Sequence, residues 1–151
     1  MILFKASGTT YQRVVKQERH AFPYSPSEVR PHEFVLLSKN REDCRPTENQ
    51  IQHVAKVLGI EAVAPAEVEE QFPNVNAGAR WGYLAKLYWS RPLRRSFNLS
   101  QIAGLDAKRY ATVQDFARLD DGDESLVLKF LLESNPETIL DFVNNAEPPD
   151  A

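Results

Sequence analysis

The sequence predicts an α+β fold, in which a small, curved, partly closed β-barrel carries peripheral helices. Three observations point there. The candidate strands are short, about five residues each. They are separated by single helices and long loops, without the regular βα alternation of a doubly wound nucleotide fold. The chain has 151 residues, 42% of them hydrophobic, enough for one domain with a real core. That domain is expected over residues 1–146, with 147–151 as a tail.

The elements follow in order. Residues 2–6 (Ile-Leu-Phe-Lys-Ala) read as a strand, closed by Ser7, Gly8, Thr9 and Thr10. Tyr11 to Glu18 reads as a short helix with Tyr11, Val14 and Val15 inward. Pro23, Pro26 and Pro31 then block regular pairing, so this stretch is expected to be an irregular loop. Glu33 to Ser38 is an apolar run bounded by turn residues, read as a buried strand. Thr47-Glu-Asn-Gln50 matches a capping box; Ile51, Val54, Ala55 and Leu58 follow at helical spacing, and Gly59 supplies a left-handed stop. A helix is therefore expected over 47–58.

Pro65 suits the start of a short helix to Gln71. An aromatic strand is expected over 80–90, and a further strand over 97–102. Thr112 to Leu119 reads as helical turns, Asp120 to Asp123 as a turn, and Leu126 to Leu131 as a strand. Ser134 to Val143 reads as a closing helix with Asn135 as cap and Pro136 at its first position.

Residues 80–90 hold both tryptophans and two of the five tyrosines. On a regular strand Trp81, Tyr83, Ala85, Leu87 and Trp89 share one face. Such a strip either fills a core or walls a pocket that stacks on a flat ligand. Arg80 and Arg91 flank it, and Arg94 and Arg95 extend the basic corner. Lys39 and Arg41 form a second basic site at a strand end. The net charge of −3 argues against a whole-surface electrostatic grip on nucleic acid, so any such partner would meet a local patch.

Other chemistries find little support. One cysteine, Cys44, rules out an internal disulfide and a cysteine-built zinc site. His20, His32 and His53 show no metal spacing, and the Asp120–Glu124 run lacks the spaced ligands of an EF-hand. No phosphate-cradling glycine motif and no acid–base or nucleophile constellation is present. A non-catalytic role without cofactor or metal is expected. No stretch is long and apolar enough to span a membrane, and the start lacks secretory features, so a cytoplasmic location is expected.

Two stretches carry a family resemblance. Ile2-Leu-Phe-Lys-Ala-Ser-Gly8 looks like the opening strand of EVE and YTH domains, and Phe34-Val-Leu-Leu-Ser-Lys-Asn40 is similar to the YTH strand that ends in serine, any residue, asparagine. Arg80 to Leu87 would stand for the neighbouring strand. These domains belong to the PUA-like superfamily of small β-barrels that bind RNA or DNA, often at a modified base. The resemblance implies a nucleic-acid reader with Ser7, Ser38 and Asn40 near the base pocket and Trp81 or Trp89 as stacking partner, Tyr83 beside them. Lys39, Arg41, Arg80, Arg91, Arg94 and Arg95 would meet phosphates. The helix expected at 47–58 would be an insertion relative to a YTH domain. A protein-interaction or accessory domain that uses the acidic C-terminal half is the alternative.

Overall fold

The computed structural model describes residues 1–22, 28–40, 50–64, 66–67, 70, 82–111 and 116–149, with the backbone alone at 7–10, 39, 40 and 111. Six strands form one sheet: β1 (Ile2–Ser7), β2 (Arg19–Phe22), β3 (Phe34–Asn40), β4 (Gln50–Ala62), β5 (Tyr83–Asn98) and β6 (Phe116–Arg118). Their order is β2-β5-β4-β3-β1-β6. The β1–β3 pair is parallel and every other pair antiparallel. Helices α1 (Gly8–Gln17), α2 (Lys108–Ala111), α3 (Asp121–Ser134) and α4 (Pro136–Asn145) pack around the sheet.

The sheet curls until its two edges meet through side chains. Phe22 of β2 and Phe116 of β6 stand edge to face, with ring centroids 5.6 Å apart. Phe4 of β1 also reaches Phe22 across the interior, at 5.3 Å. The result is a six-stranded half-barrel with an interior and an outer face, both buried. Alternation along β1 and β3 supplies the two cores. Ile2, Phe4, Val35 and Leu37 fill the interior with Tyr11 and Val14 of α1. Leu3, Phe34 and Leu36 face outward, beneath Val127 and Leu131 of α3 and Phe142 of α4. Continuous apolar runs such as Ile2–Phe4 and Phe34–Leu37 are what strands covered on both faces require.

The helix expected at 47–58 is instead β4, a strand from Gln50 to Ala62; residues 47–49 lie outside the described set. Its pairing register shifts at Ile51/His53, Val54/Lys56 and Val57/Gly59. Each irregularity moves the buried position along by an extra residue, so Ile51, Val54, Ala55 and Val57 mimic helical spacing. Ladders to β3 and β5 on both sides override the local preference. Gly59 lies within this strand and stops no helix, and the supposed insertion disappears.

The strand expected at 126–131 is the middle of α3. Val127 and Leu131, one helical turn apart, are its buried residues. Asp121, Asp123 and Glu124 occupy the first turn, where acidic side chains favour the helix dipole, so the expected turn at 120–123 is the helix start. The strand expected at 97–102 is the end of β5 followed by a 3-10 turn at Leu99–Gln101. Of the helical turns expected at 112–119, residues 116–118 form β6 and 112–115 lie outside the described set. Strands β1 and β3 and helices α1 and α4 lie where expected, and Pro136 opens α4.

Candidate nucleic-acid interface

Two distinct polar regions emerge, and they divide the residues singled out in the sequence. The first surrounds Trp89. On a regular strand this ring would share a face with Tyr83, Ala85 and Leu87. Instead, Lys56 and Val54 of β4 pair with Tyr88 and Arg91, so three steps of β5 match two of β4. The bulge places Trp89 at φ +48°, a left-handed conformation disfavoured by about 1–2 kcal/mol for a side chain. Trp89 thereby leaves the interior strip and enters the outer core, while Ala85 and Leu87 stay inside.

There it is 7% exposed and sits in a cluster with Phe34 and Phe142, at centroid distances of 6.1 and 5.4 Å. Its indole N–H donates to Asp141 Oδ2 of α4 at 2.7 Å, and Arg91 Nε donates to the same oxygen at 2.6 Å. Hydrogen bonds from Asn145, Arg91 and Trp89 hold the Asp141 carboxyl below the ordinary carboxylate range. Arg94 pairs with Glu137 one turn earlier, at 3.1 Å. Trp89, expected as a stacking platform, is thus packed in the outer core, and Arg91 and Arg94, expected as phosphate contacts, are ion-paired to α4, so these groups dock α4 onto β5.

The second region is the end of the sheet where β1 and β3 finish, β4 begins and β5 closes. Register brings Ser7 opposite Asn40 and Ala6 opposite Lys39, with α1 starting directly after Ser7. Lys39 in turn pairs with Gln50, and Gln50 with Asn98. Four strands thus end in a row of polar residues. Gln50 Nε2 donates to Ser96 Oγ at 3.0 Å, and Asn98 N–H donates to Gln101 Oε1 at 2.8 Å. One residue inward from this row, the fully buried Ser38 has an Oγ with no partner among the described residues. Buried polar atoms left in this state are uncommon in folded proteins.

Adjacent to the row, on the interior face, the Tyr11 hydroxyl of α1 hydrogen-bonds His53 Nδ1 of β4, and their rings lie 5.6 Å apart. Burial raises the Tyr11 pKa and lowers that of His53, so both are neutral at pH 7. Lys5, opposite Ser38 in register, is 4% exposed; burial pushes its pKa down to about 8, and it donates to the Tyr110 carbonyl. Among the described residues no group of three or more His, Cys, Asp or Glu side chains gathers to hold a metal.

The sequence-derived candidates are thus sorted. Ser7, Ser38, Lys39 and Asn40 are brought together. Arg95 is exposed on β5, next to Ser96 of the same row. Tyr83 packs, half-buried, against the interior core at the start of β5. Arg41, Arg80 and Trp81 lie outside the described residues, so their convergence with the row is not part of this geometry. Gln50, Asn98, Tyr11 and His53 joined the row or its border without having been singled out, because only cross-strand register makes them neighbours.

No family model matches the sequence, and no curated protein does. Among solved structures, the chain is similar to the ASCH protein from Zymomonas mobilis, at 11% identity and a TM-score of 0.56, covering 85% of this chain and 93% of that one. A point-substituted variant of the same protein matches at 11% identity and a TM-score of 0.55, covering 85% and 96%. The curled six-stranded half-barrel with its four described helices shares the small α+β fold of these ASCH structures.

Proposed function

We propose that the domain binds a single strand of nucleic acid, RNA or DNA, across the polar end of its sheet. The observation that carries this reading is the row Ser7–Asn40, Lys39–Gln50–Asn98, which gathers polar residues from four strands at one end of the sheet, next to Ser38, whose Oγ has no partner among the described residues. Edge hydrogen bonds of this kind suit an unstacked base, whose edges a folded duplex would hide. Lys39, Arg41, Arg80 and Arg95 are the cations for the phosphates, and Trp81 is the remaining indole for stacking. A modified base is a finer form of the same reading, in which the buried Tyr11–His53 pair forms the floor beneath it.

The test is a titration of labelled mixed-sequence single-stranded RNA and DNA at several stated salt concentrations. Binding should weaken with salt at a shallow slope, about one to three phosphates' worth. Asn40→Ala and Gln50→Ala should each weaken binding about fivefold to tenfold while the thermal melt stays put. Trp81→Ala decides whether the indole contributes. Undiminished affinity in all three variants, or no binding to any oligonucleotide, would overturn the reading.

One observation favours a protein partner as a second reading. Leu128, Leu132, Leu140 and Val143 of α3 and α4 are exposed, Val143 by 72%. Capture by a partner lost on Leu132→Ser with nucleic-acid binding intact would establish that role.

A further inference from the structure

Three cations of β5 face acidic residues of α3 and α4, and they are treated differently. Arg91 is paired to Asp141 and Arg94 to Glu137. Arg95 and Glu133 line one cleft between β5 and α3, yet they form no ion pair with each other or with any other described residue. The cleft has a volume of about 360 Å³, at the small end of ligand pockets. Its apolar wall is the Phe97–Phe130 pair, centroids 4.9 Å apart, with Phe130 only half-buried. Gln101 also lines it; the carbonyl of that side chain already accepts from Asn98, which leaves its NH2 to donate.

The position of Arg95 is fixed at considerable cost. Asn135, fully buried between α3 and α4, accepts from the Arg95 N–H at 2.9 Å and donates to the Arg95 carbonyl at 3.1 Å. It also donates to Ser134 Oγ at 3.0 Å. A buried amide of this kind acts as an extra strand edge, holding the backbone of Arg95 against the end of α3 that carries Glu133. An apolar side chain would fill the space without that clamp.

We propose that this cleft is a base subsite selective for guanine. An aromatic wall offers a π-face to the ring. Guanine is the common base whose Watson–Crick edge presents two adjacent donors, N1–H and the exocyclic amine, and both can donate to the Glu133 carboxylate. Adenine, cytosine and uracil place an acceptor next to their donor and would meet that carboxylate with a lone pair. The Arg95 guanidinium donates to guanine O6 and N7 or to the attached phosphate. Through Ser96 and its partner Gln50 the cleft adjoins the polar row, so the subsite deepens the strand-binding reading above and rests on it for its place on a nucleic acid.

The experiment compares GMP, IMP, AMP, CMP and UMP by NMR titration, then single-stranded oligonucleotides with and without guanine. GMP should bind at least tenfold tighter than AMP. IMP, which lacks the exocyclic amine, should fall several-fold below GMP. Glu133→Ala should erase the preference, and Arg95→Ala should weaken GMP; both positions are exposed, and a thermal melt checks folding. Equal binding of GMP and AMP, or a guanine preference untouched by Glu133→Ala, would overturn the proposal. If guanine-free oligonucleotides bind through Asn40 and Gln50 while GMP does not bind, the strand reading stands and the guanine subsite falls. If GMP binds through Glu133 while no oligonucleotide binds, the cleft is a site for free guanine nucleotides and the strand reading falls.

Discussion

The stretch of β5 around Trp89 and the polar end of the same sheet use similar side chains to opposite ends. At Trp89, every polar group has found its complement: one Asp141 oxygen receives both the indole and the Arg91 guanidinium. At the sheet end, Ser38 Oγ has no partner among the described residues, and Arg95 and Glu133 line one cleft without an ion pair to any described residue. Arginine next to an aromatic ring therefore does not by itself mark a binding surface. Around Trp89 the charged groups are spent within the fold, whereas Arg95 and Glu133 at the cleft are left to meet a ligand.

The sharpest way to break the contrast is Trp89→Ala. It should cost about 3–5 kcal/mol in urea unfolding, because it empties the Phe34–Phe142 cluster, while alanine keeps the Cβ that makes φ +48° unfavourable. Oligonucleotide affinity per folded molecule should not change. A loss of affinity without a loss of stability would return the indole to the binding surface.

His20 gives the next largest effect. It is buried between Phe4 and Phe22, at 5.3 and 4.8 Å, and burial drives its pKa down to about 4, against a smaller upward pull from the Lys5 backbone. In the unfolded chain it takes up a proton near pH 6.5. Stability therefore rises with pH between about 4 and 6.5, by up to about 3 kcal/mol from this group. His20→Leu should remove most of that slope when unfolding is compared at about pH 4 and about pH 7. His53 shifts in the same direction and should leave a remainder. An unaltered slope would show that His20 is charged or hydrated in the fold.

The smallest effect is expected from Asp141→Asn. Its depressed carboxyl contributes stability above the ordinary carboxylate range, and that contribution is lost as pH falls through its folded-state pKa. The variant should melt slightly lower at neutral pH and match the parent in strong acid. Equal melting at neutral pH would mean that Phe142 alone docks α4.

How far each element was legible follows from where its pattern originates. Strands β1 and β3 are continuous apolar runs, α1 shows its inward spacing in Tyr11 and Val14, and α4 carries Asn135 and Pro136 at its start, so local sequence suffices for them. Strand β4 was hidden because its register shifts disguise a period of two, and only the ladders on both sides disclose it. Helix α3 was hidden because Leu128 and Leu132 are apolar yet exposed, filling in what a helical stripe would leave polar. The same holds for the site. Ser7, Ser38 and Asn40 could be singled out through short motifs, whereas Gln50, Asn98 and Glu133 acquire meaning only from neighbours about 10 to 50 positions away in the chain.

The seam between β2 and β6 has a mechanical corollary. Rings, and no described backbone ladder, bridge that line through Phe22 and Phe116, so the wall can part there without breaking an amide pairing. Deuterium should therefore enter the Phe22 and Phe116 amides well before those of β1 and β3, and the interior core should loosen first along that line.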